Sequence, residues 1–313
     1  MRAKSNVTAP PAITAGLLLG LLGVLAFSMS LPMTRVAVRD LDPWFVAFGR
    51  AVVAAGLAAA YLLAVRAQRP TRTQVWRLAI VAVGVVVGFP LFTSLALTTQ
   101  TAAHGAVVVT VLPASTAIFA VLRAGERPRW PFWLASLTGV AAVLTFLILL
   151  GSVRGSLTRA DLFLLAANVL CGLGYAEGGA LARDLGGART ICWALIVALP
   201  VSLPITVASA LAHPPHTGGG GWAAFAYVSG VSMFLGFFAW YGGLARGGVA
   251  RVGQIQLAQP LITLCWSALL LGEAVTPAAV VTAMIVLVCV VVLQRTASGV
   301  RATPAPIRPP QPE

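Results

Sequence analysis

Hydrophobic residues along this chain do not recur with a helical or strand period. They run on for about twenty positions at a time and are separated by short polar breaks. Ten such runs are readable, at 13–31, 45–65, 78–97, 102–122, 133–150, 162–181, 191–211, 222–244, 252–271 and 277–293. About 20 mostly apolar residues in a helix cross the ~30 Å hydrocarbon layer of a bilayer. Inside lipid every backbone N–H and C=O must be paired, which leaves helices or closed barrels. The runs are too long and too poor in two-residue alternation for barrel strands. The pattern predicts an all-α integral membrane protein with ten transmembrane helices. Only Thr98, Thr99, Gln100 and Thr101 part the third run from the fourth, which predicts a tight helical hairpin.

Composition agrees with this pattern. Of 313 residues, 59% are hydrophobic and 9% charged, with a mean hydropathy of +0.92, which leaves no room for a large water-soluble domain. Arg2 and Lys4 before the first run look like a signal-peptide start, but the run is long enough to span and no clear cleavage site follows, so an uncleaved first helix is expected. The net charge of +13 does not signal nucleic acid, because the basic residues lie in short groups between apolar runs rather than on one face. With the N-terminus inside, alternation places 16 of the 21 basic residues in inner segments and four (Arg35, Arg39, Arg154, Arg159) in outer ones. Arg50 falls within the second run. That bias predicts both termini in the cytoplasm of a multi-pass plasma-membrane protein. The Pro-rich segment 295–313 is expected to be a disordered cytoplasmic tail and 1–12 a cytoplasmic N-terminal tail. Gly218 to Gly221 is expected to be a flexible connector.

The chain also repeats itself. Pro113 precedes Gly125-Glu126 and Pro260 precedes Gly272-Glu273, with 13 residues from proline to glutamate in both. A shift of 147 superposes Thr116 on Thr263, Leu97 on Leu244 and Ala103 on Ala250, while Arg35 and Arg183 stand 148 apart. Chance similarity among Ala/Leu/Val-rich helices is the bland alternative. As a repeat, each unit holds five spans, and an odd count inverts the second unit relative to the first. Two five-helix halves, each with a Pro-containing fourth helix ending in Gly-Glu, resemble the EamA-type members of the drug/metabolite transporter superfamily. Asp42-Pro43 and Arg50 at the second helix fit the same pattern. The resemblance divides the chain into EamA-like repeats at 13–151 and 160–294. It implies a ten-helix fold as two inverted five-helix repeats and alternating-access transport, often export of a metabolite or drug.

Some polar residues inside the runs carry candidate chemistry. Glu177 lies four residues from the end of the sixth run and shares a helical face with Gly174 and Gly178. It reads either as a proton-coupling or cation-binding carboxylate or as the partner of Arg183 in an ion pair. Arg50 reads as the binder of an anionic group such as a substrate carboxylate. The favoured alternative is that it snorkels to the outer interface or pairs with Asp40 or Asp42. Gln254, Gln256 and Gln259 mark the ninth run. Gln254 and Gln259 lie about 140° apart on a helix and so could border one polar cavity, with packing glue between helices as the other reading. Pro113 and Pro260 are expected to break their helices and free a carbonyl for a ligand or side chain, with Ser115 and Thr116 beside the first break. Tyr175, Trp240, Tyr241 and Trp266 form a candidate aromatic wall, interfacial belts being the alternative. The substrate path is thus expected to involve Arg50, Ser115, Thr116, Tyr175, Glu177, Trp240, Gln254 and Gln259. Glu126 and Glu273 read as hinge or loop-closing residues that need a partner such as Arg127, Arg129 or a neighbouring helix N-terminus.

Other signals are read as packing or solvent features. Gly16/Gly20, Gly84/Gly88 and Gly243/Gly247 are spaced for close helix contact. His213-Pro214-Pro215-His216 has no third ligand nearby, so solvated loop histidines rather than a metal site are expected. Cys171, Cys192, Cys265 and Cys289 lie in apolar runs without CxxC spacing, and no disulfide is expected. The chain has no GxxxxGK[ST] loop, HExxH or GxSxG. The expectation is therefore a secondary transporter, not an enzyme and without cofactor, that exports a small amino acid-like or drug-like metabolite. Its partners would be that solute, the lipid bilayer and either protons or an exchanged solute, with a homodimer left open. A membrane-embedded enzyme and a non-transporting scaffold are the alternatives.

Overall fold

The structure is a computed structural model. It describes residues 11–124 and 158–278, together with isolated positions between 130 and 141 and between 280 and 288. Seven helices are long and apolar enough to cross a membrane: α1 (Thr14–Ala37), α2 (Pro43–Ala64), α3 (Arg72–Ala96), α4 (Ala102–Arg123), α5 (Arg159–Leu185), α6 (Gly187–Ala212) and α7 (Gly219–Gly247). An eighth, α8, is built of three pieces, Val249–Gly253, a 3-10 turn Gln254–Ala258 and Gln259–Leu271. Among the described residues there are no strands. The predicted fifth and tenth runs lie mostly outside the described residues, as do Glu126, Cys289 and the Pro-rich tail. Large apolar side chains point outward around the bundle, with Leu63, Leu211 and Leu269 each more than 75% exposed. Such a surface suits hydrocarbon rather than water, and the protein is a membrane protein.

Local chemistry sets the helix ends. Asp42 accepts from the backbone N–H groups of Trp44 and Phe45, with Pro43 in the first turn, where no N–H is needed. Thr71 with Gln74, and Thr158 with Asp161, form capping boxes at the starts of α3 and α5. Thr101 caps α4, so the link after α3 is short, but the two helices pack on α5 rather than on each other as a tight hairpin. Between α5 and α6 only Gly186 intervenes, at φ +83°, a conformation that favours glycine. Gly219, Gly220 and Gly221 form the first turn of α7 and are not a flexible connector. The need to pair backbone groups near the membrane outweighs the ~1 kcal/mol helix penalty of each glycine.

Contacts between helix ends sort into two faces. Arg35 at the end of α1 donates to the carbonyls of Leu97 and Thr98 after α3. Ser209 of α6 donates to Asp42 (2.6 Å) and Thr217 donates to Asp40 (2.7 Å). His104 meets Asp161 at 2.7 Å. The opposite face gathers Arg77, Arg123, Glu177 and Asp184. α1 to α4 therefore alternate in direction and so do α5 to α8, while α4 and α5 run parallel, starting together at His104 and Asp161 and ending on the face of Arg123 and Glu177.

The fourth and eighth helices carry the strongest internal echo. The helix of α4 is interrupted at Thr110 and Val111 and resumes at Leu112, so Pro113 sits in the new first turn. In α8 the 3-10 turn ends at Ala258 and Pro260 sits in the first turn of the resumed helix. Each proline thus sits just after an interruption of its helix. The shift of 147 carries the first break onto 257–258, inside the second. It also carries the π-helical stretch Ala82–Gly88 of α3 onto 229–235, inside the π-helical stretch Tyr227–Leu235 of α7. The first half of α4 packs on the last piece of α8, and its second half on the first piece, so the two broken helices run antiparallel.

The spacing of small residues is used as predicted. A Cβ on Gly243 would lie 2.7 Å from the backbone N of Gly20, and one on Gly16 would lie 2.8 Å from that of Gly247. The backbones of α1 and α7 thus touch directly. A Cβ on Gly84 would likewise lie 2.8 Å from Cα of Gly174, which seats α3 on α5. α5 is the hub of the bundle and packs against α3, α4, α6 and α7.

Candidate substrate site

Three interrupted helices meet beside α5. α1 breaks at Met29, and side chains from α8 take up the carbonyls there. Thr263 donates to the Ser28 carbonyl (2.8 Å) and Gln259 to that of Phe27 (3.5 Å). Trp266 donates to the Ser28 hydroxyl at 3.1 Å, which places it at this seam rather than in the aromatic wall. At the α4 break Asn168 of α5 donates to the Val108 carbonyl at 2.9 Å. A side chain therefore takes a carbonyl beside the Pro113 break.

Next to these breaks lies a buried cluster of aromatic and polar groups. Tyr175 is 4% exposed and its ring centroid lies 5.2 Å from that of Trp240. Phe27 stacks on Tyr175 at 6.4 Å and tilts against Phe237 at 4.9 Å. Gln256 donates to the Tyr175 hydroxyl (3.2 Å) and to Gln259 Oε1 (3.3 Å). Tyr241 packs on Phe237 and donates to the Gly174 carbonyl at 3.0 Å. Ordinary packing does not satisfy every polar atom here. Arg50 Nε, Trp240 Nε1, Gln256 Oε1 and Asn168 Oδ1 are buried without a hydrogen-bond partner among the described residues.

Arg50 departs from the expectation favoured for it. Its side chain is 2% exposed and does not snorkel. It pairs with neither Asp40 nor Asp42, whose carboxylates hold Thr217 and the start of α2. It lies inside the bundle instead, within electrostatic reach of Cys171 and Tyr175 of α5. Helix α2 carries it inward because its neighbours Val46, Ala47, Ala51 and Ala54 are all buried on the bundle side.

Glu177 is also buried, at 1% exposure, but its carboxylate is fully engaged. Arg77 of α3 pairs with Oε1, and Arg123 of α4 lies 2.7 Å from Oε2. These partners replace Arg183 as the expected ion pair. At the opposite face Glu273 accepts from the backbone N–H groups of Ala102 (3.1 Å) and Ala103 (2.9 Å), so of the partners open to it a helix N-terminus is the one it meets.

The expected path residues are only partly gathered. Tyr175, Trp240 and Gln259 come together, joined by Gln256, with buried Arg50 within electrostatic reach of Tyr175. Ser115 and Thr116 press on Gly172, whose Cβ would lie 2.7 Å from that of Ser115, and the Thr116 hydroxyl is spent on the Leu112 carbonyl. Gln254 lies in the 3-10 turn, and its side chain is outside the described set. Phe27 and Phe237 look like ordinary apolar residues in their runs, and Cys171 reads from sequence only as a packing cysteine. Arg77 and Arg123 were counted only as loop charges. His213 is 71% exposed, and no group of three potential metal ligands occurs among the described residues.

Comparison with known proteins places this geometry in context. The profile of the EamA-like transporter family matches residues 14–148 and again 158–295. The Bacillus subtilis (strain 168) protein named Uncharacterized transporter YdeK is 45% identical over 284 residues, covering 91% of this chain and 98% of its own length. A protein of known crystal structure shares the fold with a TM-score of 0.67 at 19% identity, covering 91% of this chain and 98% of that one.

Proposed function

The chain belongs to the EamA-like transporter family, and from that membership we propose that it is a secondary transporter exporting a small metabolite across the plasma membrane by alternating access. Its ten spans form two five-helix halves of opposite orientation, with both termini in the cytoplasm. The observation that carries this reading is the antiparallel crossing of α4 and α8, broken at positions related by one shift of 147 residues, beside a buried cluster with unsatisfied polar atoms. Inverted repeats with discontinuous helices near the midplane suit a site reached from either side in turn.

On this reading the ion pairs of Glu177 close the inner side and Glu273 on the start of α4 closes the outer side. Each joins an element of one family-matched region to an element of the other. A closure that spans the two halves must break when they rock apart.

A thermal-shift screen of purified protein against metabolites, followed by counterflow of the hits in proteoliposomes, tests the proposal. A ligand that binds only the folded state raises the apparent melting temperature. The expected result is saturable exchange of at least one stabilising solute. Stabilisation by ligands that never exchange across the vesicle would refute transport.

A further inference from the structure

We propose that the cluster around Arg50 binds a small organic carboxylate that carries an apolar body and no ammonium group, which deepens the transporter reading above by naming its substrate class. Each described carboxylate is held elsewhere. Asp40 is held by Thr217, Asp42 by the start of α2 and Ser209, Asp161 by Thr158 and His104, Glu177 by Arg77 and Arg123, and Glu273 by Ala102 and Ala103. Asp184 lies 3.9 Å from Arg77. Arg50 is thus a permanently charged group, 2% exposed, whose Nε has no partner among the described residues. A buried cation without a counter-charge is costly in an apolar bundle, and an anionic ligand supplies what is lacking.

The surroundings narrow the ligand. One guanidinium balances one negative charge and its planar fork matches a carboxylate. Trp240 Nε1 is a second unpartnered donor, and Gln256 Oε1 is an unpartnered acceptor for one neutral donor on the ligand. Phe27, Tyr175, Phe237 and Trp240 pack on one another as a buried aromatic cluster, an apolar setting that suits an apolar body and disfavours a second charge. Among the described residues no acid is available in the cluster to balance an ammonium, so a zwitterion or a cation leaves one charge without a partner there.

The test uses the full chain in nanodiscs and compares sodium benzoate and sodium hexanoate with benzamide, phenylalanine, tetraphenylphosphonium, phosphate and chloride by thermal shift. Benzoate or hexanoate should raise the melting temperature saturably, while benzamide, which differs from benzoate only in charge and donor pattern, should not. Arg50→Gln should weaken carboxylate affinity about 30-fold or more, as loss of one partner of a buried charge pair does. Trp240→Phe keeps an aromatic ring and removes the N–H, and should weaken it about tenfold, so the proposal stays testable if the Arg50 variant does not fold. Equal shifts with benzamide or phenylalanine overturn it. So do a shift with chloride or phosphate alone, wild-type affinity in Arg50→Gln, or no shift with any carboxylate. Flux of a zwitterion or cation that ignores Arg50→Gln overturns the substrate class and leaves transport standing. Carboxylate binding without exchange of any solute upholds the site and removes the transport reading.

Discussion

Arg123 places its Nε 2.7 Å from Oε2 of Glu177, tying the end of α4 to α5 and one family-matched region to the other. A single carboxylate with two guanidinium partners makes this the strongest electrostatic link between the regions among the described residues. Glu177→Gln should therefore open the inner side, seen as faster labelling of a cysteine introduced at Leu181. The stability cost should fall below the ~3–5 kcal/mol of a wholly buried pair, because Arg77 and Arg123 are 28% and 40% exposed and regain water. Transport assays separate this latch from proton coupling. A latch shifts uphill efflux and counterflow together, whereas loss of pH-driven efflux with intact counterflow assigns Glu177 the coupled proton.

At the other face, Glu273→Gln should cost about 1 kcal/mol, the scale of a helix N-terminal cap, and lower the melting temperature by a few degrees. The carboxylate now meets two N–H groups at the positive end of α4. The same variant should expose the outer vestibule to a membrane-impermeant thiol reagent while inner labelling stays as in wild type. Identical outer labelling in the two proteins would remove the gate role.

Glycines offer a matched pair of tests. Gly243→Val should abolish a monodisperse, folded preparation, because even its Cβ would lie 2.7 Å from the Gly20 backbone, which cannot rotate away. Gly56→Ala, with nothing within 4 Å of its Cβ, should be neutral or stabilise by up to ~1 kcal/mol. Size-exclusion profiles and melting curves of the two variants check the contrast.

Orientation is tested by labelling in a cysteine-free background. His213→Cys, at a position 71% exposed after α6, should react with impermeant maleimide from outside intact cells. Gln68→Cys, exposed between α2 and α3, should react only after permeabilisation. The reverse result would turn the protein over in the membrane.

Much of the architecture was legible because lipid reduces the choices to one element. The predicted runs at 45–65, 102–122 and 191–211 differ from α2, α4 and α6 by at most four residues at either end. The repeat was legible because Pro113 and Pro260 leave a local signal, and the helix breaks fall beside both. What escaped depends on helix rotation and neighbours rather than on local spacing. Arg50 reads from sequence as a shallow interfacial cation, and only the burial of its helix face turns it inward. Arg77 and Arg123 look like ordinary loop charges because their partner Glu177 is 100 and 54 residues away. The glycines after Gly218 read as a linker because the penalty of each is local, while the demand for backbone pairing comes from the membrane.

The bare contact between α1 and α7 has a mechanical corollary. With Gly16 and Gly20 set against Gly243 and Gly247, no cushion of side chains lies between the two backbones, and neither rod can slide along the other without collision. Rotation about that line of contact is the movement left to them. The seam would then serve as the axle of the transport cycle, and Gly16 and Gly243, whose Cβ would strike the facing backbone, should tolerate replacement least along it.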